Sequence, residues 1–140
     1  MENRDDTVFT RRLRLELLDR RHVDALFEGL CAPELYEFIP QEPPKTEQEL
    51  ALRIERVLRG SSSTNELWIN WVVYNRESGA CIGLIECTVL EKRTAWLAYF
   101  IFKPFWRQGF CRDACSGLIR HITAQHAIGT FIGGQPRVSR

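Results

Sequence analysis

The hydrophobic period of this chain changes near residue 66, and that change limits what it can fold into. Residues 67–74, 80–90 and 95–102 are rich in aromatic and β-branched side chains, the composition of strands. They are separated by Asn75-Arg76-Glu77-Ser78-Gly79 and Glu91-Lys92-Arg93-Thr94, both of turn-forming residues. Three successive strands on short turns pair as an antiparallel meander. On either side the period is helical. Val23, Leu26, Phe27 and Leu30 recur at helix spacing behind Asp19, which can cap them. Thr46-x-x-Glu49 is a capping box ahead of the stripe Leu50, Ile54, Val57 and Leu58. Phe110, Ala114, Gly117, Leu118 and Ile122 mark a third helix.

The remaining segments complete the order. Arg12-Leu13-Arg14-Leu15-Glu16-Leu17 alternates polar and apolar, as a half-buried strand does. Residues 31–45 hold Pro33, Pro40, Pro43 and Pro44 and cannot form one regular element. Gly60-Ser61-Ser62-Ser63-Thr64-Asn65 is a polar loop, and Thr130-Phe131-Ile132 reads as a last short strand. The order β-α-α-β-β-β-α-β predicts an α+β fold, a mixed and mainly antiparallel sheet flanked by helices. Its final strand-helix-strand step is a right-handed parallel crossover.

Length and charge narrow the function classes. A chain of 140 residues fits one domain. Its 19 basic and 18 acidic residues leave a net charge of +1, which gives no footprint for nucleic acid. Arg11, Arg12, Arg14, Arg20 and Arg21 cluster early, but Glu16, Asp19 and Asp24 are interleaved with them, so a solvated face is expected. No apolar run approaches the ~20 residues of a membrane span, and the polar start does not read as a signal peptide. A cytoplasmic protein without a membrane partner is the expectation. Five cysteines without C-x-x-C spacing argue against a disulfide framework or a metal site. Cys111 and Cys115 share a helix face and read as small, buried, reduced thiols.

The segment Tyr99-Phe-Ile-Phe-Lys-Pro-Phe-Trp-Arg-Gln-Gly-Phe-Cys-Arg-Asp-Ala114 carries the chemistry. A strand ends at Phe102, and a helix begins near Gly109 after a short loop. A helix start exposes unpaired N–H groups and the positive end of a dipole, so an anion is stabilised there. Gly109 lets the backbone come close to a ligand, and Arg107 and Arg112 add positive charge. A phosphate or carboxylate site is one reading; a plain turn with solvated arginines is the other. Neither G-x-x-x-x-G-K-S/T nor G-x-G-x-x-G is present.

The same segment resembles the acetyl-CoA motif of GNAT enzymes, Q/R-x-x-G-x-G/A. It is most similar to the branch containing the ribosomal-protein N-terminal acetyltransferases. Trp106, Gly109 and Phe110 match that branch's Trp, central Gly and aromatic residue, and Asp113-Ala114 stands where Glu-Ala is usual. Thr10-Arg11-Arg12-Leu13-Arg14-Leu15 resembles its opening strand. The Pro33-Glu34-Leu35-Tyr36 to Glu42-Pro43-Pro44 loop and Ile82-Gly83-Leu84-Ile85 fit as well. The likeness runs from about residue 10 to about residue 125. It implies a GNAT-like acyl-CoA N-acyltransferase fold and acetyl transfer from acetyl-CoA to a primary amine, on a protein N-terminus or a small molecule.

The resemblance also implies a site. Backbone groups of Ile101 and Phe102 would pair with the pantetheine amides as an added strand does. Backbone N–H groups of Arg107, Gln108, Gly109, Phe110, Cys111 and Arg112 would cradle the pyrophosphate, and the splay of this strand from the next would admit the thioester. Arg107 replaces a usual Gly, Gln108 a usual Lys or Arg, and Cys111 a usual Ala or Gly, which implies weakened but retained binding. Glu86, inside an apolar strand, is the candidate general base, and a solvent-face carboxylate is the equal alternative. Tyr36 and Tyr99 could line the acceptor pocket, although packing explains both. His22 and His121 read as helix-surface residues. The 31–45 loop should form that pocket, and Glu34, Glu37 and Glu42 would suit a cationic amine, with solvated loop charges slightly favoured. Relatives place a proton-donating Tyr or Ser after the fifth strand, where this chain reaches Gln135-Pro136-Arg137-Val138-Ser139-Arg140, and Ser139 is not assigned that role. The resemblance thus implies a single domain, residues 1–140, lacking its last helix and two closing strands. A non-catalytic acyl-CoA-binding or subunit-interaction domain is the alternative, with an open sheet edge that invites a homodimer.

Overall fold

The computed structural model describes residues 7–37, 41–62, 65–90 and 93–134. Its centre is the expected meander: β3 (Glu66–Asn75), β4 (Cys81–Leu90) and β5 (Thr94–Ile101). The turn after β3 is closed by Asn75, whose side-chain oxygen accepts from the N–H groups of Glu77 and Ser78. Of the turn after β4, Glu91 and Lys92 lie outside the described residues. Before the meander come β1 (Val8–Phe9), β2 (Leu13–Leu17), α1 (Val23–Leu30) and α2 (Glu47–Arg59); after it come α3 (Phe110–His126) and β6 (Thr130–Gly134).

The six strands lie in sequence order, β1-β2-β3-β4-β5-β6. Every neighbouring pair is antiparallel except β5 and β6, which run parallel. A parallel pair needs a crossover connection, and α3 supplies it. Only β1 has no counterpart in the sequence pattern. Two residues are too few to show a period, and Thr10 folds them back by donating N–H to the Leu13 carbonyl at 2.9 Å.

The helices divide between the two faces of the sheet. On one face α3 packs Phe110, Ala114, Leu118 and Ile122 against Leu13, Leu15, Trp71, Val73, Ile85, Cys87 and Leu97. On the other, α1 and α2 pack Leu26, Leu30, Leu50 and Ile54 against Val72, Leu84 and Phe100. β4 carries one extra residue: Val73 pairs with Gly83 and Tyr74 with Cys81, so Ile82 has no opposite. This bulge resets the alternation of the strand. Ile82 joins the α3 face with Ile85 and Cys87, while Leu84 faces α1 and α2.

Both helix starts resemble their sequence signals with a local difference. Asp19 caps a short 3-10 turn, Arg20–His22, rather than α1 directly. The Thr46 hydroxyl accepts from the Glu49 N–H at 3.0 Å. Glu49 reaches back one residue further than a capping box requires, accepting the Lys45 N–H at 2.6 Å.

His22 is not the surface residue expected from its place beside α1. It is 1% exposed. Its Nδ1 accepts the Asp19 N–H at 3.0 Å, so its Nε2 carries the proton and donates to Glu16 at 2.9 Å. Arg14 and Arg21 bond the same carboxylate at 2.7 Å and 3.1 Å. Of the early arginines, Arg12, Arg14, Arg20 and Arg21 are therefore tied into ion pairs, and Arg11 is exposed as expected. Burial opposes ionisation of Glu16, but the bonds from His22, Arg14 and Arg21 win and hold its carboxyl at about 2. Because the folded value lies below the ordinary 4.5, the stabilisation is complete above that pH and fades as the pH falls toward 2. Glu16→Gln should lower stability at neutral pH by about 1.5 kcal/mol and flatten its fall below pH 4.5. Urea titrations across that range check it.

Candidate functional site

The passage from β5 to α3 is shaped by two left-handed residues. After Ile101, Pro104 sits in a 3-10 turn, Lys103–Phe105, and Trp106 is extended. Arg107 then takes φ 62° and Gly109 φ 79°. Gly109 is the N-cap of α3 and supplies no capping side chain, so the first N–H groups of a 17-residue helix face outward unpaired. Backbone alternating in this way forms a concavity suited to anions. A cavity of about 520 Å³ opens there. Ile101, Arg107, Gly109, Phe110, Cys111 and Arg112 line it, with Phe105 and Trp106.

Gln108 and Phe102 are not among the residues that line this cavity. Gln108 turns its side-chain amide onto the Pro104 carbonyl at 3.0 Å. The backbone of Phe102 is already committed: its N–H donates to Ile82 at 3.0 Å and its carbonyl accepts from Phe105 at 2.9 Å. Its ring is buried against Gly29, where any Cβ would collide with it. Phe102 is thus a packing residue rather than a hydrogen-bonding edge. The Ile101 carbonyl accepts from the Trp106 indole and keeps a second lone pair for another amide. β5 pairs with β6 through Ala98 and Gly134; the continuation of β6, where the splay was expected, lies outside the described residues, as does Ser139.

Sequence reasoning missed what holds this loop in place. Arg12 Nη1 donates to the Gln108 carbonyl at 3.0 Å, and its guanidinium lies 4.5 Å from the centre of the Phe110 ring. Its Nε is 3.7 Å from Asp113. The Thr10 hydroxyl donates to the same Asp113 carboxylate at 2.8 Å. The start of β2 therefore clamps the start of α3, and a Cβ on Gly109 would meet the Arg12 guanidinium at 3.3 Å. The available signal was Thr10-x-Arg12 in the opening strand together with Asp113, which the even charge mixture obscured.

Cys111 and Cys115 are half-exposed, and Cys87 alone of the five is buried. The Cys115 thiol donates to Cys111, which lowers the Cys111 value against the effect of burial and raises that of Cys115. Tyr99 lies beside this pair, 37% exposed, with burial first and the two thiols second pushing its hydroxyl up. It points to the α3 face and not toward Tyr36. The two tyrosines do not share a pocket.

Tyr36 and Glu86 do. A second cavity, about 80 Å³, lies between α1, α2 and the sheet, and both residues line it. Glu86 follows Leu84 on the face that the β4 bulge turns toward the helices. The Tyr36 hydroxyl donates to the Leu30 carbonyl at 2.8 Å. Burial pushes it up to about 12, with Arg53 opposing and Cys31 and Glu86 adding to the rise. Arg53, Arg56 and Gln41 are the other polar groups, over a floor of Leu18, Leu26, Leu30, Leu50, Ile54, Val57, Leu84 and Phe100. Glu34, Glu37 and Glu42 do not line it. Glu34 pairs with Lys103 at 3.5 Å, and Glu42 contributes only a carbonyl to Arg53 at 3.0 Å. Residues 38–40, within the loop expected to form this pocket, lie outside the described residues. His121 sits on the α3 side, edge-on to Trp71 at 6.2 Å. Among the described residues no three His, Cys, Asp or Glu group to hold a metal ion.

Comparison with known proteins bears on the fold and the family. Residues 12–135 match the family described as the acetyltransferase (GNAT) domain. No curated protein matches the chain. Among solved structures, the GNAT-family acetyltransferase from Bacillus anthracis superposes with a TM-score of 0.74 at 12% identity, over 91% of this chain and 72% of that one. The acetyl transferase of Salmonella typhimurium that modifies the N-terminal serine of 50S ribosomal subunit protein L7/L12 gives 0.73 at 16% identity, over 89% and 71%. A ribosomal L7/L12 alpha-N-protein acetyltransferase in complex with coenzyme A gives 0.74 at 16% identity, over 91% and 73%.

The left-handed φ of Arg107 is costly for any residue with a Cβ. Arg107→Gly should therefore raise stability by about 1 kcal/mol. An unchanged denaturation midpoint would mean that contacts of the arginine repay the strain.

Proposed function

The chain belongs to the acetyltransferase (GNAT) family, and on that premise we propose that its two cavities are the two halves of one active site. The protein is an N-acetyltransferase, using acetyl-CoA as the co-substrate and a primary amine as acceptor. In the reading offered here, the pyrophosphate rests on the backbone N–H groups at the start of α3, with Arg107 and Arg112 neutralising charge. The observation that carries it is the uncapped helix start, opening on a cavity and held by Arg12. Such a start stabilises an anion through its dipole and its unpaired donors together.

The amine enters the cavity between α1, α2 and β4. Glu86 accepts its proton, directly or through a water. The freed nitrogen attacks the thioester carbonyl carbon, the carbon–sulfur bond breaks, and the departing thiolate takes up a proton. Tyr36 borders the acceptor. Its hydroxyl stays protonated, since burial raises its value to about 12, and with that proton donated to the Leu30 carbonyl it serves as a wall rather than a base. Tyr99 takes no part in acceptor binding in this scheme. Ile101 contributes the strand edge beside pantetheine; Phe102 contributes packing alone. The domain is read as one unit over residues 1–140, working in the cytoplasm without a nucleic-acid or membrane partner. No helix among the described residues is long and apolar enough to cross a membrane. β6 is one of the two outer strands of the described sheet and offers an edge through which a homodimer would form.

Glu86→Gln should reduce kcat/KM by about 10²-fold or more while acetyl-CoA affinity by calorimetry stays the same. A variant with full turnover would remove Glu86 from the mechanism. Gly109→Trp should abolish acetyl-CoA binding, because the loop is closed to any Cβ by its φ of 79° and by Arg12. Undiminished affinity in a folded variant would refute the proposed cradle.

A further inference from the structure

We propose that the acceptor is an amino carboxylate, a primary amine on a small apolar body that also bears a carboxylate, with the amine at Glu86 and the carboxylate on Arg56. The inference rests on the acceptor cavity being the one that Glu86 lines. Its first ground is the charge of that cavity, which holds one carboxylate, Glu86, and two guanidinium groups, Arg53 and Arg56. Arg53 is offset by Glu49, so a purely cationic amine would match Glu86 and leave the guanidinium of Arg56 unanswered. A zwitterion matches both signs.

The two arginines differ in what they already hold. Arg53 is engaged: it donates to the Glu42 carbonyl at 3.0 Å and lies 3.6 Å from Glu49, one turn away on α2. It also interacts with the Tyr36 hydroxyl. Arg56 lies three residues further along the same helix, where it faces the same side. It lines the cavity and makes no ion pair or hydrogen bond among the described residues. An arginine fork with its donors uncommitted is well shaped to take a carboxylate through two bonds. Arg53, fixed by Glu49 and the Glu42 carbonyl, serves as part of the wall.

Size and polarity point the same way. The cavity is small, about 80 Å³, and its floor of Leu26, Leu50, Ile54 and Phe100 is apolar. An aliphatic side chain can rest on that floor beside the two charged groups. Leucine has this form, and isoamylamine is leucine without its carboxylate, so the pair isolates the anionic group.

The test measures thiol release from acetyl-CoA with leucine, leucinamide, isoamylamine, amino carboxylates of increasing spacer length, and short peptides. The wild-type enzyme should favour its best amino carboxylate over the carboxylate-free amine by about tenfold or more in kcat/KM, a difference of about 1.4 kcal/mol. Arg56→Gln should close that gap, and Arg56→Glu should reverse it. Because Arg56 is exposed on α2, both variants should fold as the parent does. Amines turned over without regard to a carboxylate, or an equal loss on every acceptor in Arg56→Gln, would overturn the inference and leave the acetyltransferase reading intact. A preference for peptides over every free amino carboxylate would also overturn it. No turnover of any acceptor, with acetyl-CoA bound, would sink both.

Discussion

The clamp of Arg12 on the start of α3 is the interaction on which the working half of this molecule depends. A helix whose N-cap is a glycine has no side chain to satisfy its first N–H groups, and its start would fray. Here the guanidinium holds the loop from outside, bonding the Gln108 carbonyl and stacking on Phe110, while Thr10 and Arg12 share Asp113. The N–H groups are thereby left open but fixed in space. That combination of unsatisfied donors and a rigid frame is what an anion site needs. It also explains why a left-handed arginine is tolerated at position 107: the surrounding contacts determine the backbone whatever the local cost.

The sheet separates two cavities. Its α3 side supports the loop of the larger one, and its α1–α2 face forms the smaller one that Glu86 lines. The bulge in β4 links them, because the extra residue at Ile82 sets which side chains of the strand look each way. Beyond it, Ile85 and Cys87 go to the α3 core, and Glu86 is turned to the cavity. A strand without that extra residue would keep a single alternation from Cys81 to Leu90 and could not serve both faces in this order.

Much of this was legible in sequence because it is local. Period-2 runs, turn residues and the Thr46 cap are set within a few residues, and their elements appear where those signals place them. Acetyl-CoA usage was legible through a contiguous motif around Trp106 and Gly109. What differs depends on side-chain facing and partners that spacing does not encode. His22 stands beside a helix, yet it is buried and bonded to Glu16 across a turn. Tyr99 and Tyr36 lie on opposite faces of the sheet. The backbone of Phe102 bonds Ile82 and Phe105.

By itself the sequence determined the order and type of the elements and the use of acetyl-CoA, since each depends on the spacing of neighbouring residues along the chain. What frames the loop around Gly109 is the hold of Arg12 from a strand some hundred residues earlier in the chain. Only the tertiary structure decided that hold, the facing of Glu86 and the gathering of Arg53 and Arg56 around the same cavity. Each is a contact between segments far apart in sequence, and no local pattern encodes which of several arginines or glutamates will meet there.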